Sequence, residues 1–344
     1  MATVGTKTDT QLSEWRDRAL AFESNVKRAM VGLDRAVRLI TIAVFARGHV
    51  LLEGDVGVGK TTLLRAVARG IGGAYARMEG TVDLMPNDLV YYTYINEEGR
   101  PRVDPGPVLK HGETLSTFFF NEINRARPQV HSLLLRIMAE RSVTAFNREY
   151  AFPYLQVFAD RNRVEKEETF ELPAAARDRF LMEIGINIPD DETVQDNLIF
   201  DPRFHNVDQL IESVQPEVLD YRKLDGFSGI VQRGVKASDA LRRYALQLWQ
   251  ATRFPQKFGI DMEDIDMAQL VQAGGSPRGM SHLIRTARVR AWLAGRDMII
   301  PDDLQDVYFE VMAHRVFLNP VYEFRRDQIT RDFLERVMQA IVAP

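Results

Sequence analysis

The chain has 344 residues, enough for about two domains, and no cysteine, so disulfides, thiolate catalysis, iron–sulfur clusters and cysteine-ligated zinc are excluded. Its 44 basic and 48 acidic residues leave a formal net charge of −4, and 27% charged with 45% hydrophobic residues is an ordinary globular mix. That balance indicates neither bulk attraction for nucleic acid nor disorder. The N-terminus runs from Met1 into the charged segment Glu14-Trp15-Arg16-Asp17-Arg18 without an apolar core, and no apolar run has membrane-spanning length. The expectation is a cytoplasmic chain with no direct membrane insertion.

Helical periodicity occupies residues 11–46 and breaks at Gly48, ahead of an apolar run over 49–53 that reads as a buried strand. Similar runs recur at 117–120, 155–159 and 180–184. Their continuous rather than alternating hydrophobicity implies burial on both faces, as in a parallel sheet. Between them, Leu63, Leu64, Val67, Ala68 and Ile71 form one helix face and Val130, Leu133, Leu134, Ile137 and Met138 another, the helices that cover such a sheet. Residues 91–95 alternate and are followed by Asn96-Glu97-Glu98-Gly99, which suggests a hairpin. Strand runs cease after Ile188-Pro189-Asp190-Asp191, and 208–343 reads as almost wholly helical. The boundary falls near 190–205, giving a first domain over 1–200 and a second over 201–344. Helix starts are marked at Ser276-Pro277, with serine as N-cap, and at Pro301-Asp302-Asp303-Leu304.

The segment Gly54-Asp55-Val56-Gly57-Val58-Gly59-Lys60-Thr61, followed by Thr62, fits the phosphate-binding pattern G-x-x-x-x-G-K-[ST] between a buried strand and an amphipathic helix. Its glycines let the backbone wrap phosphates, and the amides at the helix start point at negative oxygens. Lys60 supplies a point charge for the β- and γ-phosphates, and the Thr61 hydroxyl is placed to coordinate magnesium. ATP and Mg2+ are the implied ligands. A second element, Phe118-Phe119-Phe120-Asn121-Glu122, is an apolar strand ending in two polar residues at the edge that faces the ligand crevice. Glu122 is assigned to hold and polarise a water for attack on the γ-phosphorus, the alternative being a helix cap.

With these motifs in hand the chain resembles a MoxR-type AAA+ ATPase over residues 20–340. The resemblance rests on an ordered series. The phosphate loop is followed by Asp83-Leu84-Met85-Pro86-Asn87-Asp88-Leu89, Pro105-Gly106-Pro107-Val108 and Asn121-Glu122-Ile123-Asn124-Arg125-Ala126. Leu172-Pro173-Ala174-Ala175, Asp178-Arg179-Phe180 and Gly275-Ser276-Pro277-Arg278 complete it. The implied fold is a P-loop AAA+ three-layer αβα nucleotide-binding domain with a parallel sheet, followed by an all-helical lid. The resemblance also implies that Asn162 is the sensor-1 asparagine orienting the attacking water. It makes Arg179 the arginine finger reaching a neighbouring subunit's γ-phosphate, with Arg177 nearby as fallback, and Arg278 the sensor-2 arginine of the lid.

Implied partners are further copies of the chain in a ring, a hexamer, a von Willebrand factor A domain protein, and a client enzyme complex matured by the ATPase. Methanol dehydrogenase is the preferred client, and the resemblance makes the hairpin at 91–99 a partner or substrate loop, with plain hairpin packing the alternative. The family ordinarily has Asp-Glu where this chain has Asn121-Glu122. An amide carbonyl still accepts a hydrogen bond from a magnesium water but brings no negative charge, so weakened magnesium affinity and slow turnover are expected, relieved in Asn121→Asp. A weakly hydrolysing, ATP-binding oligomeric scaffold is the alternative. The sensor-1 region also departs, reading Asp160-Arg161-Asn162-Arg163 where the family more often has Thr-Gln-Asn-Pro. The six histidines lack metal-binding spacing, and the arginines at 285, 288, 290 and 296 read as a solvated helix face.

Overall fold

The computed structural model describes residues 2–162 and 169–344, with side chains from residue 10 onward; Met1 and Arg163 lie outside the described residues. The chain divides into two compact units. One comprises Asp17–Phe180 with Ile184–Gly226, the other Met1–Arg16, Leu181–Glu183 and Phe227–Pro344.

Helices α1 (Ala2–Ala29) and α2 (Asp34–Phe45) lead into β1 (Val50–Gly54), from which the chain turns directly into α3 (Lys60–Ile71). There follow β2 (Ala74–Glu79), β3 (Tyr91–Ile95), β4 (Pro101–Pro105), β5 (Leu115–Asn121) and α4 (Pro128–Glu140). The hairpin β6 (Ser142–Ala145) and β7 (Arg148–Ala151), then β8 (Gln156–Arg161), α5 (Ala174–Arg177) and β9 (Met182–Ile186), complete the strands of this part. The main sheet has the order β2-β5-β8-β1-β9, with β2–β5, β5–β8 and β8–β1 parallel. All four apolar runs read from the sequence are strands of it. Every residue of β5 is buried, as two-sided cover by helices requires. The expected faces of α3 and α4 point into the core, with Leu133 only partly buried. The hairpin expected at 91–95 forms as β3 paired with β4, and β6–β7 is a second.

After β9, α6 (Glu192–Phe200) and α7 (Val207–Glu212) bring the chain back onto α3. There Glu217 N–H donates to Arg69 O at 2.8 Å, Leu219 N–H to Gly70 O at 3.1 Å, and Arg69 Nε to Val214 O at 2.7 Å. These bonds tie residues 201–226 to the sheet-containing unit, so the division falls at Gly226, later than the change from strand to helix at 190–205. Composition marks where strands stop; packing decides where the unit ends.

The second unit contains most of α8 (Leu224–Gly234), then α9 (Asp239–Arg253), α10 (Met267–Leu270), α11 (Pro277–Leu293), α12 (Pro301–Met312) and α13 (Arg326–Ala340). Between these helices lies the short antiparallel pair β10 (Val271–Ala273) and β11 (Phe317–Leu318). Ser276 caps α11 as expected, its hydroxyl accepting from Gly279 N–H at 2.9 Å. Trp15 stacks on Phe227 with ring centroids 4.8 Å apart, and the Trp292 indole donates to Leu12 O at 3.0 Å. Two of the arginines expected on a solvated face have a different role. Arg290 and Arg296 converge on the fully buried Asp303 at 2.5 and 2.6 Å, because an unpaired carboxylate in a helical core would be prohibitively costly. Burial works to raise the Asp303 carboxyl, but Arg296, the Ile300 N–H and Arg290 outweigh it and hold it below the usual carboxylate range.

Candidate active site

The carboxyl ends of β1, β5 and β8 open onto one cavity of about 300 Å3, lined by Val56, Gly57, Val58, Gly59, Lys60, Thr61, Thr62, Asn121, Glu122, Asp160 and Asn162. Its floor is the turn between β1 and α3. Gly57 and Gly59 have φ of 81° and 87°, a left-handed conformation that favours glycine, and a Cβ on Gly57 would meet nothing within 4 Å. Gly54 is needed for another reason: a Cβ there would lie 2.3 Å from Ile186 O. Helix α3 starts at Lys60, so its first unpaired N–H groups face the cavity, the arrangement that receives phosphate.

Lys60 is 7% exposed and its ammonium is held by Gly54 O at 2.7 Å, Asp55 O at 3.1 Å and Asn162 Oδ1 at 2.6 Å, with Asp160 Oδ2 at 3.6 Å. Asn162 in turn donates from Nδ2 to Glu122 Oε1 at 3.2 Å. The orientation of its amide follows from these partners, since only the oxygen can accept from an ammonium and only the nitrogen can donate to a carboxylate. One side chain thereby links the Lys60 ammonium to the Glu122 carboxylate. Glu122 sits at φ 51°, just past the end of β5. Its N–H donates to Asp160 Oδ1 at 2.6 Å, and its Oε2 pairs with Arg125 at 3.1 Å. Gly80 lies beneath it, where a Cβ would be 2.2 Å from Glu122 O.

Asp160 went unassigned in the sequence although it follows the apolar run of β8 as Asn121 and Glu122 follow that of β5. Polar residues at a strand's carboxyl end were the available signal. Burial pushes its carboxyl up to about 6, against the pull of the Glu122 N–H and the Lys60 ammonium. Asn121, 7% exposed, donates from Nδ2 to Glu79 Oε1 at 2.6 Å, and Glu79 is the second residue the sequence did not flag.

The donor set suits the expected ligands. A buried cation, left-handed glycines and a helix start suit a polyphosphate, while the Thr61 hydroxyl and, through a water, the Asn121 amide oxygen are neutral acceptors suited to an accompanying magnesium ion. The structure brings together residues 56–62, Asn121, Glu122 and Asn162; Gly54 and Asp55 contribute carbonyls to Lys60. Arg179, half-buried beyond α5, is not among the lining residues, and Arg177 is buried. Arg278 is exposed in the first turn of α11 and belongs to the helical unit.

Comparison with known proteins agrees with this geometry. Residues 49–182 match the ATPase family associated with various cellular activities (AAA), and residues 264–337 match the AAA lid domain. Protein MoxR of Methylorubrum extorquens is 62% identical over 336 residues, 98% of each chain, and Protein MoxR of Paracoccus denitrificans is 54% identical over 98% of this chain and 99% of its own. Chaperone MoxR1 of Mycobacterium tuberculosis is 33% identical over 93% of this chain and 80% of its own. A crystal structure from Cytophaga hutchinsonii superimposes with a TM-score of 0.81 at 27% identity, covering 100% of this chain and 99% of the other. The chain belongs to the MoxR family of AAA+ ATPases.

Proposed function

We propose that the protein hydrolyses ATP in the cavity above Lys60 and uses the cycle to remodel a client protein. The observation that carries this reading is the Lys60–Asn162–Glu122 chain of hydrogen bonds, which joins a phosphate-binding cation to a carboxylate within one cavity. Lys60 and the α3 amides grip the β- and γ-phosphates, so the ammonium exchanges carbonyl acceptors for phosphate oxygens. Glu122 accepts a proton from water as the water oxygen bonds to the γ-phosphorus and the bond to ADP breaks. Asn162 keeps that carboxylate aimed and reports on the occupancy of Lys60. Thr61 and, through a water, Asn121 would hold magnesium, which would supply charge neutralisation for the phosphates.

Arg179 lies outside the lining, as a residue that serves a neighbouring subunit's nucleotide would, and Arg278 on the lid would sense the γ-phosphate. We infer a two-domain subunit assembling into a hexameric ring in the cytoplasm. It would work with a von Willebrand factor A domain protein to mature a client enzyme complex, methanol dehydrogenase being the preferred client on the strength of the MoxR resemblance. Exposed Tyr92, Tyr94 and Ile95 on β3 offer a contact surface for such partners. Phosphate release tests the reading. Turnover that disappears in Lys60→Ala and in Glu122→Gln supports it, and a Glu122→Gln trap charged with ATP should retain the client in a pull-down from the native host. Asn121 favours a second reading, a scaffold that binds ATP and assembles with little hydrolysis; retained ATP-dependent assembly without phosphate release would select it.

A further inference from the structure

Strands β2 and β5 are parallel neighbours whose last residues, Glu79 and Asn121, stand in register. Asn121 Nδ2 donates to Glu79 Oε1 at 2.6 Å. Because the amide is planar, binding the nitrogen to Glu79 turns Oδ1 the other way, and Asn121 is a lining residue of the cavity. We propose that Glu79 is the positioning residue for the magnesium end of this site. It fixes the Asn121 amide with oxygen forward and provides, one hydrogen bond away, the negative charge that the MoxR resemblance places on residue 121 itself. The inference rests on the nucleotide reading above and deepens it.

The charges around the pair bear on its strength. Glu79 is half exposed and its Oε2 meets Arg77 at 2.7 Å, while Gly80 N–H donates to Asn121 O at 2.8 Å and keeps the two strand ends together. Arg77 binds the other oxygen, so Oε1 remains directed at the amide. The consequence for substitution is the reverse of the sequence-based expectation. Asn121→Asp alone removes the only proton between the two side chains and sets two carboxylates at hydrogen-bond distance, so it cannot simply restore the family's site. Glu79→Gln with Asn121→Asp, each isosteric, transposes the pair: the new amide at position 79 donates to the new carboxylate at position 121, which now faces the cavity with its own charge.

The test is a double-mutant cycle with two readouts on the full-length protein: magnesium titration of ATP binding by calorimetry, and thermal unfolding without nucleotide. Glu79→Gln keeps a hydrogen bond but loses the charge, and should raise the half-saturating magnesium concentration about threefold to tenfold with little change in melting. Asn121→Asp alone should melt lower than wild type and need no less magnesium. The double variant should recover both the melting temperature and the magnesium requirement. Unchanged magnesium dependence in Glu79→Gln, or an Asn121→Asp variant that is fully stable and binds ATP at lower magnesium, overturns the proposal. So do additive melting effects. Wild-type protein that binds no ATP at any magnesium concentration overturns the nucleotide reading itself, a different result from magnesium-independent ATP binding, which removes only the role of Glu79.

Discussion

Gly80→Ala should disable hydrolysis while leaving nucleotide binding in place. Gly80 is not in a left-handed conformation, so alanine meets no backbone strain there, yet its Cβ would stand 2.2 Å from Glu122 O and 3.0 Å from Glu122 C. Ordinary contact begins at 3.4 Å, and the obstacle is backbone rather than the tip of a flexible side chain. The strand end carrying Glu122 must therefore shift by about 1 Å, an overpacking cost of about 1 to 3 kcal/mol. A shift of that size at a catalytic group lowers turnover by about 100-fold. Lys60 and the α3 amides lie on other elements, so at saturating magnesium ATP affinity should fall by no more than about tenfold, well short of the loss in turnover, even though Asn162 links Lys60 to Glu122. Phosphate release at saturating ATP, calorimetric ATP affinity and a melting curve are measured on the same preparation. A folded variant that turns over within about threefold of wild type refutes the argument, as does one that loses ATP binding.

Asp303→Asn should cost about 3 kcal/mol by leaving Arg290 and Arg296 without their buried partner. The wild-type carboxyl is held below its ordinary value, so its stabilisation is present at neutral pH and is lost as pH falls below about 4; the difference between wild type and variant in denaturant melts should shrink over that range. Asp160 has the opposite sign: with its carboxyl raised to about 6, folding binds its proton more tightly, and the contribution is favourable in acid and lost as pH rises through that value. Asp160→Asn should therefore gain relative to wild type as pH rises from about 4 to about 6 and level off above that, and a pH-independent difference would contradict the burial argument. For Arg179→Ala, turnover should fall by about a thousandfold with ATP binding retained. Mixing it with Glu122→Gln should recover measurable activity from the interfaces that combine an intact arginine with an intact glutamate, and no recovery would assign Arg179 a structural role.

The parallel sheet was legible because β1, β5 and β8 are buried on both faces and so carry nearly continuous apolar runs, while edge strand β9 still buries Met182, Ile184 and Ile186 on one face. Edge strand β2 has half-exposed residues, and β6–β7 is a short hairpin with exposed positions, so neither announces itself by hydrophobicity. The placing of Lys60, Thr61 and Glu122 in one cavity was legible because each stands where an apolar strand run ends, in a local pattern read from adjacent residues. Asp160, Glu79 and Gly80 were not, because their meaning comes from register. Glu79 matters through residue 121, which stands 42 positions away along the chain, and Gly80 through the carbonyl of Glu122. Arg290 and Arg296 look like any surface arginines until Asp303 is seen to be buried beside them.

The central claim is that the cavity around Lys60 holds the triphosphate of ATP. Titrating ATP with magnesium into wild-type protein and into Lys60→Ala tests it most directly. The account predicts a saturable heat for the wild type that is lost in the variant, with both proteins equally folded by circular dichroism. No heat from wild-type protein at millimolar ATP, or equal affinity in the two proteins, would contradict it.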